Sequence, residues 1–492
     1  MLNRKQSLPI ILSAASLLLS ALSSPAQVKT QTAPVKPPAA APAPSPTGDT
    51  SALAKEAQDW LIDLIRINTT NPPGNEQVAA NYIANVLEKN GIPAELLEVT
   101  PGRSALVARL RSSAVADPSK SLLLVAHMDV VGVDRPKWTV DPFGAVIKDG
   151  YIYGRGTIDD KGMLVANLAA FIALKRSNVH LNRDVIFLAT CDEEGGGEAS
   201  IKILIAKYWD KFAAGYAINE GGDIVVKDGK VQYIAIQASE KVSVNVAVVA
   251  RGTAGHASRP TKDNAVVHLA AAVAKIGAYS APVHFTSIVR RYFEQLATIE
   301  PDELAKWMRA LDTTDRGEHA QKVVSEASPY WNSMMRDSIA PTMLSAGIRN
   351  NVIPAEARAN LNIRLLPGNT INVLLAELTK LVNDPQIKFE VQPEGGLAAP
   401  PSSLESDFYQ TISKVASSQF GNVPVLPLQS TVATDSAQLR LHNVQSYGLW
   451  PYPLSEEASK RMHGDDERLP LQSFYTGVDL MTRIVAEFAG SR

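Results

Sequence analysis

Leu122-Leu123-Leu124-Val125-Ala126-His127-Met128-Asp129 is the stretch on which the fold turns. Its apolar run is too short for an ordinary helix and reads as a strand buried on both faces. It ends on His127 and Asp129, two groups that bind protons or metals. The same order recurs at Val185 to Thr190, followed by Asp192-Glu193-Glu194, and at Tyr216 to Asn219, followed by Glu220. Between the first two runs, Met163 to Arg176 repeats apolar residues at helical spacing. Such alternation specifies an α/β sheet with helices on its faces. In open sheets of this kind the carboxyl ends of the strands border the ligand crevice, so three strands would aim His127, Glu193, Glu194 and Glu220 at one place. Taken singly, each of these residues reads more simply as a solvated or hydrogen-bonded surface group. Their recurrence at three strand ends is what favours a site.

Working outward, Leu53, Trp60, Leu61, Leu64 and Ile65 recur at helical spacing, as do Val78, Tyr82, Val86 and Leu87 before Gly91. Upstream, residues 27–50 are dominated by Ala, Pro, Ser and Thr and read as an extended linker. Before that, Arg4 and Lys5 precede an apolar run from Leu8 to Leu22, too short to span a bilayer comfortably. Ser24-Pro25-Ala26 then supplies small residues for cleavage after Ala26, so residues 1–26 read as a signal peptide and the chain as exported, to the periplasm or the exterior. An uncleaved anchor is the alternative. Cys191 is the single cysteine, so no intramolecular disulfide supports an exported fold.

Downstream, Asp149-Gly150 reads as a hairpin turn between Ala145-Val146-Ile147 and Tyr151-Ile152-Tyr153. From Lys241 the pattern gives strand 241–250, helix 264–278, strands 342–349 and 355–364, helix 370–383 and strand 387–392. That order is β-α-β-β-α-β, interrupted by a helical insertion at 284–341. After Pro400 the α/β character returns, so a unit of 240–397 is inserted into one of 51–239 and 398–492. The 492 residues are 45% hydrophobic and 20% charged, enough for at least two packed domains. A formal net charge of -2 provides no basic field for nucleic acid, and small molecules or peptides fit better.

A fourth element, Gly154-Arg155-Gly156-Thr157-Ile158-Asp159-Asp160-Lys161-Gly162, leads into the 163–176 helix. Asp159 or Asp160 could simply cap that helix. The flanking glycines, which allow close backbone approach, favour a metal site instead.

With these segments in place, the chain resembles the dinuclear-zinc family of aminoacylase, succinyl-diaminopimelate desuccinylase, glutamate carboxypeptidase and carboxypeptidase S. The segments that carry the resemblance are His127-Met128-Asp129-Val130-Val131, Gly154 to Gly162, Cys191-Asp192-Glu193-Glu194-Gly195-Gly196, Asn219-Glu220-Gly221-Gly222, Gly255-His256, Asn351-Val352-Ile353-Pro354 and Met462-His463. It covers roughly residues 55 to 490 and is nearest the carboxypeptidase S branch, through the insertion and the Asn-Glu-Gly-Gly segment. The resemblance implies a zinc-exopeptidase-like catalytic domain, with a mixed sheet and helices on both faces, plus an inserted ferredoxin-like lid or dimerisation domain.

It also implies two Zn2+ per chain, with Co2+ or Mn2+ as substitutes. His127 and Glu220 would hold one metal, Glu194 and His463 the other, and Asp159 would bridge both. Asp129 would orient His127 from behind. Glu193 would take a proton from a metal-bound water and return it to the leaving amine. His256 would stabilise the oxyanion, while Asn351 and Arg364 would bind substrate, the arginine through its fork to a carboxylate. Arg364 otherwise reads as an ordinary strand-end charge. The implied reaction is hydrolysis of an amide beside a free carboxylate, by a carboxypeptidase, dipeptidase or N-acyl-amino-acid deacylase. No membrane partner is expected after signal cleavage, and a homodimer is compatible with the family. The competing class is a non-catalytic binding protein that keeps the fold, in which a ligand or the base would be replaced; none is. Asp435 and Glu467 stay outside the metal set, Glu467 being either a support for His463 or a solvated charge. His180, His268, His284, His319 and His442 read as structural or surface residues.

Overall fold

The structure is a computed structural model that describes residues 50–113, 117–195, 201–393, 396 and 398–491. The expected signal peptide over 1–26 and the linker over 27–50 lie outside these residues, apart from Thr50, which opens the first helix, Thr50–Arg66.

The apolar runs make the centre of the fold. Leu122–His127 and Val185–Thr190 are buried at every position and pair in parallel, Leu122 opposite Val185 through His127 opposite Thr190. Tyr216–Asn219 joins the other side of Leu122–His127, also in parallel. Beyond it come Gln445–Gly448, Lys230–Glu240, Asp223–Lys227 and Pro453–Ser455, with Val425–Ser430 also on Lys230–Glu240. On the opposite edge, Arg103–Leu110 and Ala94–Thr100 add antiparallel strands. The result is a mixed ten-stranded sheet. Helix Lys161–Ser177 is buried without a break from Lys161 to Leu174 because it is apolar all round. It lies among the sheet, the first helix and the last helix, Leu471–Ala489. Asp149 and Gly150 have φ of 51° and 80°, the left-handed pair that a two-residue hairpin requires.

A second, four-stranded antiparallel sheet runs in the order Ser338–Ala346, Glu356–Leu365, Val242–Arg251, Ile387–Val391. Val242, Val244, Val246 and Val248 alternate into its core with Ala357, Ala359, Leu361 and Ile363, under helices Ala265–Gly277 and Ile371–Val382. The strand expected over 342–349 runs instead over Ser338–Ala346. Pro341 obscures its start, yet proline is tolerated on this edge strand, where the pairing register shifts between Pro341 and Met343. Gly347, at φ 64°, ends it. A two-stranded ribbon pairs Gly255–His256 with Val352–Ile353.

The insertion forms helices Ser287–Leu296, Asp302–Ala310, Gly317–Ala327 and Pro329–Met335. Thr286 and Ser328 cap the first and last by accepting the N–H of Val289 and Trp331. Val289, Phe293, Leu296, Met334 and Met335 share a core with Ala235, Leu426 and Leu428 of the large sheet. The insertion therefore packs with the large sheet, although by sequence it interrupts the strands of the small one. No helix among the described residues is long and apolar enough to cross a membrane.

Candidate functional site

The segment Gly154–Asp160 and the turn carrying His463 are tied together by one buried carboxylate. Glu467 has no exposed surface and accepts the N–H of Gly156 at 3.0 Å, Ile158 at 2.8 Å and Asp159 at 3.3 Å. Arg155 pairs with it at 2.6 Å and also donates to the carbonyls of His463 and Gly464 at 3.3 and 3.0 Å. Of the two readings of Glu467, the solvated charge is thus replaced by a buried support beneath His463. The helix-cap reading of the Asp159-Asp160 pair is not realised either. Asp160 stands at the cap position without a cap bond; one oxygen accepts the N–H of His127 at 3.2 Å and the other is buried without a partner. Burial pushes its pKa well above the usual carboxylate range.

Asp129 organises the loop after Val185–Thr190. Its carboxylate accepts the N–H of Glu193 at 3.2 Å and of Glu194 at 3.0 Å, and the side-chain amide of Asn71 at 2.8 Å. Asn71 also donates to Asp192 at 2.8 Å, and Arg103 links Asp192 to the buried Glu76. The sequence reading passed over Asn71, Arg103 and Glu76. Only the polar run Asn68-Thr69-Thr70-Asn71-Pro72-Pro73 marked the place, and a polar loop between two helices ordinarily calls for no explanation. Behind His127, the nearer partner is the main-chain carbonyl of Asp129, 3.0 Å from Nδ1, with the carboxylate at 3.5 Å.

A carbonyl can only accept, so Nδ1 of His127 carries hydrogen and Nε2 is left facing the cleft. There it meets acceptors: Asp159 Oδ1 at 3.0 Å and Glu220 Oε2 at 3.6 Å. His463, in the left-handed region at φ 60°, turns its Nε2 to Asp159 Oδ2 at 3.0 Å and Glu194 Oε1 at 2.9 Å. Each oxygen of Asp159 therefore faces a different imidazole. Ligand atoms of His127, Asp159 and Glu194 lie within 4.8 Å of one another, and so do those of His127, Glu193 and Glu220.

Acceptor against acceptor is unstable unless a proton or a metal cation lies between. The protein's own groups supply protons. Burial opposes a charge on His127, yet Glu220, Asp129 and Asp159 hold its pKa well above the usual value. Bonds to Asp159 and Glu194 push His463 up to about 10. Burial, reinforced by neighbouring carboxylates, raises Glu220 to about 7 and Glu193 well above its ordinary range. A site that crowds carboxylates, raising the pKa of several, while aiming two imidazole nitrogens inward, has the donor chemistry for divalent cations.

Of the remaining expected residues, His256 and Asn351 lie at the two-stranded ribbon and Arg364 on the smaller sheet. His256 is exposed on the ribbon, with Nδ1 2.7 Å from Ser258 Oγ. Asn351, also exposed, adjoins it and accepts the N–H of Ala257 at 3.0 Å. Arg364, half-buried on Glu356–Leu365, donates to Asn362 at 3.0 Å, and burial lowers its pKa. None of the three belongs to the clusters around His127. Asp435 is buried, its pKa raised to about 7 by desolvation.

Residues 123–487 match the profile of Peptidase family M20/M25/M40, a stretch that contains His127, Asp159, Glu193, Glu194, Glu220 and His463. The chain belongs to this family. Among relatives, the M20 chain is similar to an N-fatty-acyl-amino acid synthase/hydrolase of Homo sapiens, 32% identical over 378 residues that cover 75% of this chain and 74% of that one. It is 28% identical to a probable carboxypeptidase S-like protein of Dictyostelium discoideum, over 74% and 71% of the two chains. An M20 family metallo-carboxypeptidase of Sulfolobus solfataricus shares the fold, with a TM-score of 0.69 at 22% identity, over 88% of this chain and 99% of that one. The M20 chain is accordingly a metal-dependent hydrolase of amide bonds.

Proposed function

We propose that the M20 chain hydrolyses the amide beside a free carboxylate in small peptides or N-acyl amino acids. The observation that carries this reading is the placement of Asp159, with one oxygen toward His127 and the other toward His463. A carboxylate so placed suits a bridge between two cations. His127 and Glu220 would hold one, and Glu194 and His463 the other. Mixed imidazole and carboxylate donors suit zinc, with cobalt or manganese as substitutes. When bound, the cations supply Lewis acidity to the scissile carbonyl and to water.

The chain's own residues then divide the proton work. Glu193 takes a proton from the attacking water and delivers it to the departing nitrogen. Asp129 holds Glu193 and Glu194 in place through their backbone N–H groups. His256, beside Asn351 on the ribbon, donates to the oxyanion, and Arg364 takes the substrate carboxylate through its fork. An amide beside a carboxylate is common to the substrates named for the human and Dictyostelium relatives, a fatty-acyl amino acid and a peptide C-terminus. Residues 1–26, read as a leader, place the work outside the cytoplasm, which N-terminal sequencing of the mature protein checks.

The deciding experiment compares wild type with Glu193→Gln for bound metal and for hydrolysis of dipeptides and N-acyl amino acids. The expected result is two metals in both proteins, with turnover lost by at least about 100-fold in the variant. Wild type that takes up no zinc and cleaves nothing would instead make this chain a binding protein.

A further inference from the structure

The loop that carries His256 has little apolar packing. Residues 253–262 are all exposed, so the loop is held by polar contacts. One set is the ribbon with Val352–Ile353. The other lies at the loop's base, where Thr253 N donates to the carbonyl of Asp263 at 3.1 Å and Thr253 Oγ1 donates to the Asp263 carboxylate. Thr261 Oγ1 reaches the same carbonyl at 3.1 Å. Asp263 is thus the knot of the loop.

Beside Asp263 stands His268, one turn into helix Ala265–Gly277. Its Nε2 lies 3.4 Å from Asp263 Oδ1, and its Nδ1 lies 2.6 Å from Asp384 Oδ2, in the turn between Ile371–Val382 and Ile387–Val391. Asp384 is itself fixed by the N–H of Gln386 at 2.9 Å. A cation near Asp384 is Lys275, whose Nζ is directed to the carbonyl of Val382. The Nδ1 contact is a hydrogen bond, whereas Nε2 and Asp263 Oδ1 face each other at 3.4 Å without one, so the ring spans the gap between the two carboxylates.

We infer that His268 is a positioning residue: set between Asp263 and Asp384, it fixes the base of the loop that presents His256. This rests on the role proposed above for His256. The clamp belongs to the small sheet and shares no contact with the clustered carboxylates around His127. Its loss should therefore leave metal binding alone. The chemistry distinguishes charge from shape. Glutamine at 268 offers a donor without charge, whereas arginine offers a permanent cation with donors on two edges.

The test uses the full chain with zinc, and reads amide hydrogen exchange over residues 253–262, metal content, kcat and KM for wild type, His268→Gln, His268→Arg and His256→Ala. In His268→Gln, exchange in the loop should rise, with kcat falling about 10- to 100-fold, while KM and metal content stay near wild type. His268→Arg should recover most of both losses. Unchanged loop exchange in His268→Gln would overturn the clamp, and so would an arginine variant as impaired as the glutamine one. Faster exchange with undiminished kcat would overturn the positioning role, provided His256→Ala is inactive. A fully active His256→Ala protein would instead sink the reading of His256, and the exchange data alone would then judge the clamp. Should His268→Gln fail to fold, Asp384→Asn removes the charge from the opposite side, in an exposed turn, and is judged by the same outcomes.

Discussion

Glu467 lies outside the two clusters around His127, yet it bonds the backbone that carries Asp159. Three backbone N–H groups of one segment, those of Gly156, Ile158 and Asp159, donate to its carboxylate, and Arg155 supplies the compensating charge. Removing one partner of a buried ion pair leaves the other uncompensated, which costs about 3–5 kcal/mol. Glu467→Ala should therefore lower the free energy of unfolding by about that amount in denaturant titrations. It should also weaken metal retention, because Asp159 and the His463 turn lose a common anchor. A stability change below about 1 kcal/mol would contradict the account. Adjacent residues differ just as sharply: Glu194 lies against His463, while Glu193 shares a cluster with His127 and Glu220. The motif names both acids, and both follow Asp192, whose φ of 65° turns the main chain there.

The helical insertion shows why element boundaries and packing partners are different questions. Ser287–Leu296 is strongly two-sided, and its apolar face, with Val289 and Phe293, rests on Val425–Ser430. Phe293 is 2% exposed and contacts Tyr292 and Trp331 edge-on. Phe293→Ala should cost about 3–5 kcal/mol of stability, measured by urea unfolding. If the insertion were an appendage with little part in the core, the loss would be small. Helical spacing revealed helices in this insertion, and the strand expected over 241–250 is Val242–Arg251. The edge strand Ser338–Ala346 was displaced in the reading because Pro341 is a breaker anywhere but on an edge, and edge position is a property of the assembled sheet.

At the scale of the whole molecule, the chain passes from the large sheet to the small one at Lys241, between Lys230–Glu240 and Val242–Arg251. The side chain is buried, and its Nζ donates to the carbonyls of Ser333 and Arg336 at 2.9 and 2.8 Å and to Ser338 Oγ at 2.9 Å. One lysine thus joins the crossing to the end of the insertion and the start of the edge strand. Burial lowers its pKa from 10.5 to about 7, against an opposing pull from Asp337. The sign follows. Between about 7 and 10.5 the unfolded chain binds the proton that the folded chain has released, so stability attributable to this residue rises with pH there. Below that window the folded state carries the full penalty of the buried charge. The stability difference between wild type and Lys241→Met should therefore move in favour of wild type as pH rises through this window. The slope would be at most about 1.4 kcal/mol per pH unit. A flat difference would mean that the three acceptors keep the ammonium charged throughout.

From the sequence alone, Leu122–His127, Val185–Thr190 and Tyr216–Asn219 determined that the chain has an α/β sheet, because apolar runs too short for an ordinary helix alternate with a helical segment. The likeness of its motifs determined which acids and histidines to consider. Tertiary structure alone decided that Asp159 stands between His127 and His463, that Glu467 lies beneath them, and that His268 joins Asp263 to Asp384. Each of these is a pairing between segments distant in sequence. A lone Asn, Glu or His carries no periodicity, and its meaning arises only when burial removes water and leaves it one partner.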